Sequence, residues 1–225
     1  MSKAQKQVFG PKAKSRRGRP SKREQALRGD ARDILMNAAH EVMVDRDSIE
    51  ISVGDIADRA GQSPAVVQYH FGGKDGLLRA LLRRGTDRAV VQLTELARMD
   101  LPAEKKLRYH IRGLIRAYYE APYVNQLMRH ISDSAPGEER EEVFREFASP
   151  LADFYAALID QGVAEGVFQR VRPMHLYMMV VGSADHIFAR RKSLPALFGI
   201  PELTDESRND YTEFLTGIIL GGLRR

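Results

Sequence analysis

The chain has 225 residues, 43% of them hydrophobic and 29% charged, with a net charge of +5 and no cysteine. That is ample apolar material for a folded core, and the missing cysteines exclude disulfides, thiolate metal sites and thiol nucleophiles. No apolar leader follows the basic N-terminus and no apolar run approaches 18 residues, so export and membrane spanning are unsupported and a cytoplasmic protein is expected.

The positive charge is concentrated at the N-terminus. Residues 1–30 hold ten Lys or Arg against Glu24 and Asp30, while the rest of the chain holds 25 basic and 28 acidic residues. Residues 1–28 carry few apolar side chains, two prolines and no periodicity, which predicts an arm that is disordered in isolation. Within it Arg16-Arg17-Gly18-Arg19-Pro20 resembles the minor-groove core of AT-hook peptides. Arginines of an arm that enters a narrow minor groove beside a groove-reading helix are a known docking mode; the plain alternative is a solvating tail.

A first helix is predicted from Asp30 to Asp45, with Ile34, Leu35, Ala38, Ala39, Val42 and Met43 on its buried face. Between Ser52 and Leu78 the signals become dense. Val53, Ile56, Ala57 and Ala60 recur at spacings of three and four and line one helical face. Gly61 follows, where a left-handed residue best ends a helix. Ser63-Pro64 then offers an N-cap oxygen and a first-turn proline. Stop and start signals two residues apart force a sharp turn, which predicts a helix-turn-helix. Rotating the second helix by about 100° per residue puts Val67, His70 and Phe71 inside with Val66 at the margin. Pro64, Ala65, Gln68 and Tyr69 face outward. Gln reads an adenine edge and small apolar side chains touch thymine methyls, so the outward face suits a major groove.

Gly72-Gly73 breaks the chain before a long helix, Lys74 to Arg98, with Leu77, Leu78, Leu81 and Leu82 inside. Further helices are predicted over 103–120, 123–132, 138–165, 173–190 and 204–223, with Pro150 kinking or dividing the third of these. Turns are expected at 133–137, 166–172 and 193–203. No alternating strand pattern appears, so the fold class is all-α. The domains are the arm (1–28), a helix-turn-helix domain (29–88) joined by the long helix to a helical effector-binding and dimerisation domain (89–225).

The segment Ile56-Ala57-x-x-Ala60-Gly61-x-Ser63, followed by His70-Phe71-x-x-Lys74-Asp75-x-Leu77-Leu78, resembles the DNA-binding domain of the TetR family of bacterial regulators over roughly residues 28–88. Behind Lys74 the resemblance is architectural, with GVAEGVF at 162–168 similar to a turn often seen there. It implies a homodimer with two DNA-binding heads on a palindromic operator of double-stranded DNA, and C-terminal domains that dimerise and hold an inducer. By motif position Pro64, Ala65, Val66, Gln68, Tyr69 and His70, with the capping Ser63, match DNA-contacting positions, and Lys74 matches a phosphate-contacting lysine. Two residues depart from the family pattern. Ala65 replaces a frequent glycine and Gln68 a frequent tyrosine, so the tyrosine phosphate contact passes to Tyr69.

Enzyme signatures are weak. The six histidines form neither His-x-x-x-His nor a ligand-spaced carboxylate cluster, and no phosphate-cradling glycine loop or nucleophile elbow occurs. Neither an enzyme nor a bound cofactor or metal is expected. Asp185-His186, on an apolar helix, reads as a hydrogen-bonded pair in the core or as a ligand-orienting pair. Tyr118, Tyr119, Met128, Phe147, Tyr155, Met178 and Met179 are the other candidates for a lipophilic effector pocket; simple core is the alternative for each. Dimerisation is expected through 173–190 and 204–223, with Leu215 and Ile219 at the seam. Gly217-x-x-x-Gly221 permits close helix approach there. The predicted function is a sequence-specific transcriptional repressor released from its operator by a small lipophilic effector; the alternatives are an architectural DNA-binding protein without effector and a helical enzyme.

Overall fold

The computed structural model describes residues 22–134 and 136–224, with side chains left aside at 22–29, 139, 142–144 and 147. Among these residues the regular elements are helices: α1 (Lys22–Arg46), α2 (Val53–Ala60), α3 (Pro64–Phe71), α4 (Lys74–Arg98), α5 (Ala103–Glu120), α6 (Val124–Ser134), α7 (Gly137–Phe147), α8 (Ser149–Ala164), α9 (Pro173–Ala189), α10 (Leu194–Phe198) and α11 (Asp205–Leu223). A single isolated β-bridge joins Phe168 to Arg224. Among the described residues no helix is long and apolar enough to cross a membrane.

The first three helices and the start of α4 form the head. Its core holds Leu35, Ala39, Met43, Ile56, Val67, Leu77 and Leu78. The four inner leucines of α4 are buried as expected, each stabilising the head by roughly 1.5–3 kcal/mol. Two expectations for α1 need correction. The helix begins at Lys22, not Asp30, because Lys, Arg, Glu, Gln, Ala and Leu all favour helix and outweigh the cost of Gly29, about 1 kcal/mol. The expected disordered arm therefore ends in helix, and residues 1–21 lie outside the described residues. Ile34 is exposed while Met36 is buried, since Ile34 sits about 100° from Leu35 on the side away from the packed stripe.

The C-terminal domain packs α5, α8, α9 and α11 around Leu107, Ile111, Tyr155, Leu158, Phe188 and Ile219. The turn after α8 explains its glycines. A Cβ on Gly162 would stand 2.0 Å from Phe168 Cδ2, so the buried Phe168 ring fits only over glycine. Gly166 turns the chain at φ 72°, and the N–H groups of Val167 and Phe168 both donate to the Gly162 carbonyl at 3.0 Å. The 138–165 helix is divided at Ala148, with Pro150 in the first turn of α8. The expected 193–203 turn contains the short α10, and Thr204 caps α11 with a capping box.

The domain boundary is less clean than the pattern suggested. Tyr123, Leu127 and Ile131, from in and around α6, belong to the head's core. His40 Nδ1 lies 2.8 Å from the Tyr123 hydroxyl, and burial followed by Arg84 holds His40 below the ordinary histidine range.

Candidate functional site

The helix-turn-helix is set by its termini. At the start of α2, Ser52 Oγ accepts from the Asp55 amide at 3.0 Å and the Asp55 carboxylate accepts from the Ser52 amide at 2.8 Å, a reciprocal capping box. Hydrogen bonds from the Arg46 guanidinium and from Ser52 hold the Asp55 carboxyl well below the usual carboxylate range. Gly61 ends α2 in the left-handed region at φ 61°, its N–H bonded back to the helix. Arg59 forks onto Glu41 and Asp45 of α1 at 3.2 and 2.7 Å; with both partners exposed this orients more than it stabilises.

The recognition helix α3 has the predicted faces. Val67 is fully buried, Val66, His70 and Phe71 are half-buried, and Pro64, Ala65 and Gln68 are exposed. Tyr69 is 63% exposed and its ring meets that of His70 edge-on at 5.0 Å. One expectation fails. Ser63 occupies the N-cap with extended backbone, but its hydroxyl makes no capping bond. The α3 N-terminus thus has no side-chain cap: Pro64 carries no N–H, and the Val66 N–H donates to the Ser63 carbonyl at 3.0 Å. Gly73 adopts φ 126°, and half-buried Lys74 opens α4 directly behind it.

Arg32 is the residue that sequence reasoning missed. Its guanidinium donates to the His70 carbonyl at 2.6 Å and lies 4.3 Å from the centroid of the Phe71 ring, fixing the last turn of α3 from α1. The separation of 38 residues leaves no local signal for it. Arg16, Arg17 and Arg19 lie outside the described residues.

The effector candidates do not converge on one cavity. Tyr118 and Tyr155 are buried in the core of the C-terminal domain, where burial pushes both hydroxyls up. Half-buried Asp185 acts on Tyr118 there, while His186 is exposed. Tyr119 lines a cavity at the domain junction, Met128 packs against the head core, and Met178 and Met179 are exposed on α9. The side chain of Phe147 lies outside the described residues.

The apolar groove lies elsewhere, between α4 and α5 with one residue of α8. It encloses about 600 Å³ and is lined by Val90, Leu93 and Leu96 of α4, Leu114 and Ala117 of α5, and Leu151 of α8. His110 and Gly113 also face it. Nε2 of His110 lies 2.8 Å from the Tyr155 hydroxyl, and burial pushes the imidazole down to about 4, so it is neutral at neutral pH. Among the described residues no cluster of His and carboxylates could hold a metal.

The residues expected at a dimer seam on α11 do not face solvent. Leu215 and Ile219 are buried in the domain's own core at 6% and 1% exposure, whereas their neighbours Phe214 and Ile218 stand 65% and 56% exposed. Met174 and Met178 are similarly exposed on α9, and α11 is tied to that helix by Tyr211 donating to the Ser183 carbonyl at 2.7 Å.

Comparison with known proteins matches this geometry. Residues 35–81 match the family model for bacterial regulatory proteins of the tetR family. Residues 100–224 match the tetracyclin repressor-like C-terminal domain. The HTH-type transcriptional regulator EthR of Mycobacterium tuberculosis is 28% identical over 150 residues, covering 65% of this chain and 68% of the relative. The HTH-type transcriptional repressor Rv3405c of the same organism is 32% identical over 126 residues, 55% of this chain and 62% of that one. Among solved structures, the transcriptional regulator FadR from Bacillus subtilis in complex with stearoyl-CoA superposes with TM-score 0.64. It is 16% identical and covers 85% of this chain and 99% of that one.

Proposed function

The chain belongs to the TetR family of bacterial regulatory proteins, and from that premise we propose that it is a homodimeric, operator-specific repressor released from DNA by a small lipophilic effector. One observation carries this reading: α4 belongs to both halves. Its first turns bury Leu77, Leu78, Leu81 and Leu82 in the head, and its last turns supply Leu93 and Leu96 to the groove. A ligand that wedges between α4 and α5 moves the helix that aims α3. Any preference of the ligand for one head separation weakens operator affinity by the same factor.

In this reading Gln68 and Tyr69 read the major groove, Ser63 and Lys74 hold phosphates, and Arg16, Arg17 and Arg19 follow the minor groove alongside. Two copies pair through the exposed Phe214, Ile218, Met174 and Met178, which sets two heads on one palindrome. Groove apolarity supports an acyl-like effector. FadR, which shares this fold, was solved in complex with stearoyl-CoA.

The experiment begins by sequencing the genomic fragments that the purified protein retains, then titrates the selected operator complex with palmitoleate. Dissociation is the expected outcome. Gly113→Trp, whose added side chain meets open space in the groove, should bind operator and ignore palmitoleate. If Gly113→Trp responds as the unmodified protein does, the groove is not the effector site. Operator binding untouched by palmitoleate and by shorter and longer acyl chains supports the architectural reading instead.

A further inference from the structure

A second cavity, of about 640 Å³, lies where the effector domain meets the head. Its apolar walls are Val44 of α1, Tyr119 of α5, Phe188 of α9, Pro195 of α10 and the loop residues Pro201 and Leu203. The Tyr119 and Phe188 rings meet edge to face at 5.9 Å. The cavity also has a cationic end, formed by Arg191 and Lys192; its one acidic liner, Glu202, is exposed to solvent. This volume is within the range of small-molecule sites, as is an apolar body with a few placed charges.

The same two cations tie the domains together. Arg191 Nη2 donates to the Val44 carbonyl at 3.0 Å and lies 3.1 Å from Asp47. Lys192 Nζ reaches the Arg46 carbonyl at 3.1 Å and Asp47 at 3.5 Å. The last carbonyls of a helix have no partner within it, so the end of α1 is capped from the other domain. Asp47 itself sits at φ 52°, unusual for a residue with a Cβ. One carboxylate faces two cations that together carry eight N–H donors, and these cations border an apolar space.

We propose that the junction cavity is a second ligand site, separate from the α4–α5 groove, that takes a small amphipathic organic monoanion such as an aryl carboxylate. Its apolar body lies between Tyr119, Phe188 and the two prolines, and its charge is held by Arg191 and Lys192. The anion and Asp47 compete for these donors, so occupancy loosens the cap on α1 and is linked to head orientation by the same reciprocity that governs any effector.

Calorimetric titration of the full-length Gly113→Trp protein, whose groove is filled, tests this with 4-phenylbutyrate and its neutral counterpart 4-phenyl-1-butanol. The acid should bind about tenfold or more tightly than the alcohol, since bonds between ionised groups are roughly twice as strong as neutral ones. Asp47→Asn removes the competing charge and keeps a residue that tolerates positive φ, so it should tighten acid binding several-fold. Arg191→Met with Lys192→Met should erase the preference for acid over alcohol. Should that double variant fail to fold, Leu203→Trp, which fills the cavity, should remove acid binding by itself. Equal affinity for acid and alcohol overturns the proposal, as does unchanged or weaker acid binding in Asp47→Asn. Acid binding to the unmodified protein that disappears in Gly113→Trp assigns the ligand to the groove and also overturns it.

Discussion

In the head, the eight-residue α2 is fixed at both ends by neighbours in sequence: a capping box at Ser52 and a left-handed glycine at Gly61. In the C-terminal domain, the 18-residue α5 is capped from a distant segment, the Ala103 N–H donating to Glu165 Oε2 at 2.9 Å, and is held by α8, α9 and α11 packing along its length. The polar groups follow the same division. Asp55 in the head is half-buried at the end of a short local circuit, while His110 in the C-terminal domain is buried against Tyr155, 45 residues away. Local circuits make a small rigid reader of DNA. Long-range packing leaves space between helices, and with it room for a ligand.

The sharpest test of this division contrasts adjacent residues on α11. Phe214→Lys with Ile218→Lys should leave the fold intact and give a monomer, lowering affinity for a palindromic operator by about 10²–10⁴-fold as the linkage of two half-sites is lost. Light scattering and operator titration check both effects. Leu215→Ala should instead destabilise the effector domain by about 2–5 kcal/mol and leave the folded protein dimeric.

Acid should separate the two regions next. His110 is held at about 4 in the fold against an ordinary value of 6.5. As pH falls, the unfolded chain takes up the proton first. Stability from the neutral imidazole is therefore full above 6.5 and is lost between 6.5 and 4, amounting to about 3 kcal/mol. The depressed Asp55 carboxyl acts in the same sense but in a lower window. Its contribution is present above the ordinary carboxylate value and fades only below it, so the head keeps its local circuit through the window in which the effector domain weakens. Denaturant titrations from pH 7 to 4 should show this slope in the unmodified protein and lose most of it in His110→Gln.

The head's outward face was legible from sequence because caps and rotation about one helix axis are local facts. Pro64, Ala65, Gln68 and Tyr69 needed no knowledge of any other segment. Arg32 was invisible for the opposite reason, since its target carbonyl at His70 becomes a neighbour only after α1 has packed. The groove was missed because its liners are ordinary aliphatic residues, marked as a site only by the crossing of α4 and α5. On α11 the apolar residues run nearly all round, so periodicity predicts a helix without saying which stripe meets the domain and which meets solvent; Leu215 and Ile219 face the core, Phe214 and Ile218 the outside. The five-residue α10 is too short to carry a period.

Three smaller effects probe the reader itself. Gln68→Ala should cost about 1–3 kcal/mol on the selected operator and little on random DNA if Gln68 reads a base edge; equal losses on both would make it a backbone contact. Ser52→Ala should cost about 1 kcal/mol of head stability through its lost cap. Ser63→Ala, whose hydroxyl caps nothing, should leave the melting temperature unchanged and weaken DNA binding alone.

The burial of Tyr123, Leu127 and Ile131 in the head bears on how such a regulator can be rewired. A chimera joined within α4 would graft the reading surface onto a foreign sensor and leave three residues of the head's own core behind. The transferable unit is discontinuous: residues 22–98 together with 121–131, travelling as a pair. Selection on specificity in this chain therefore acts on two stretches of gene at once, and a recombination point that respects only the first should give an insoluble product.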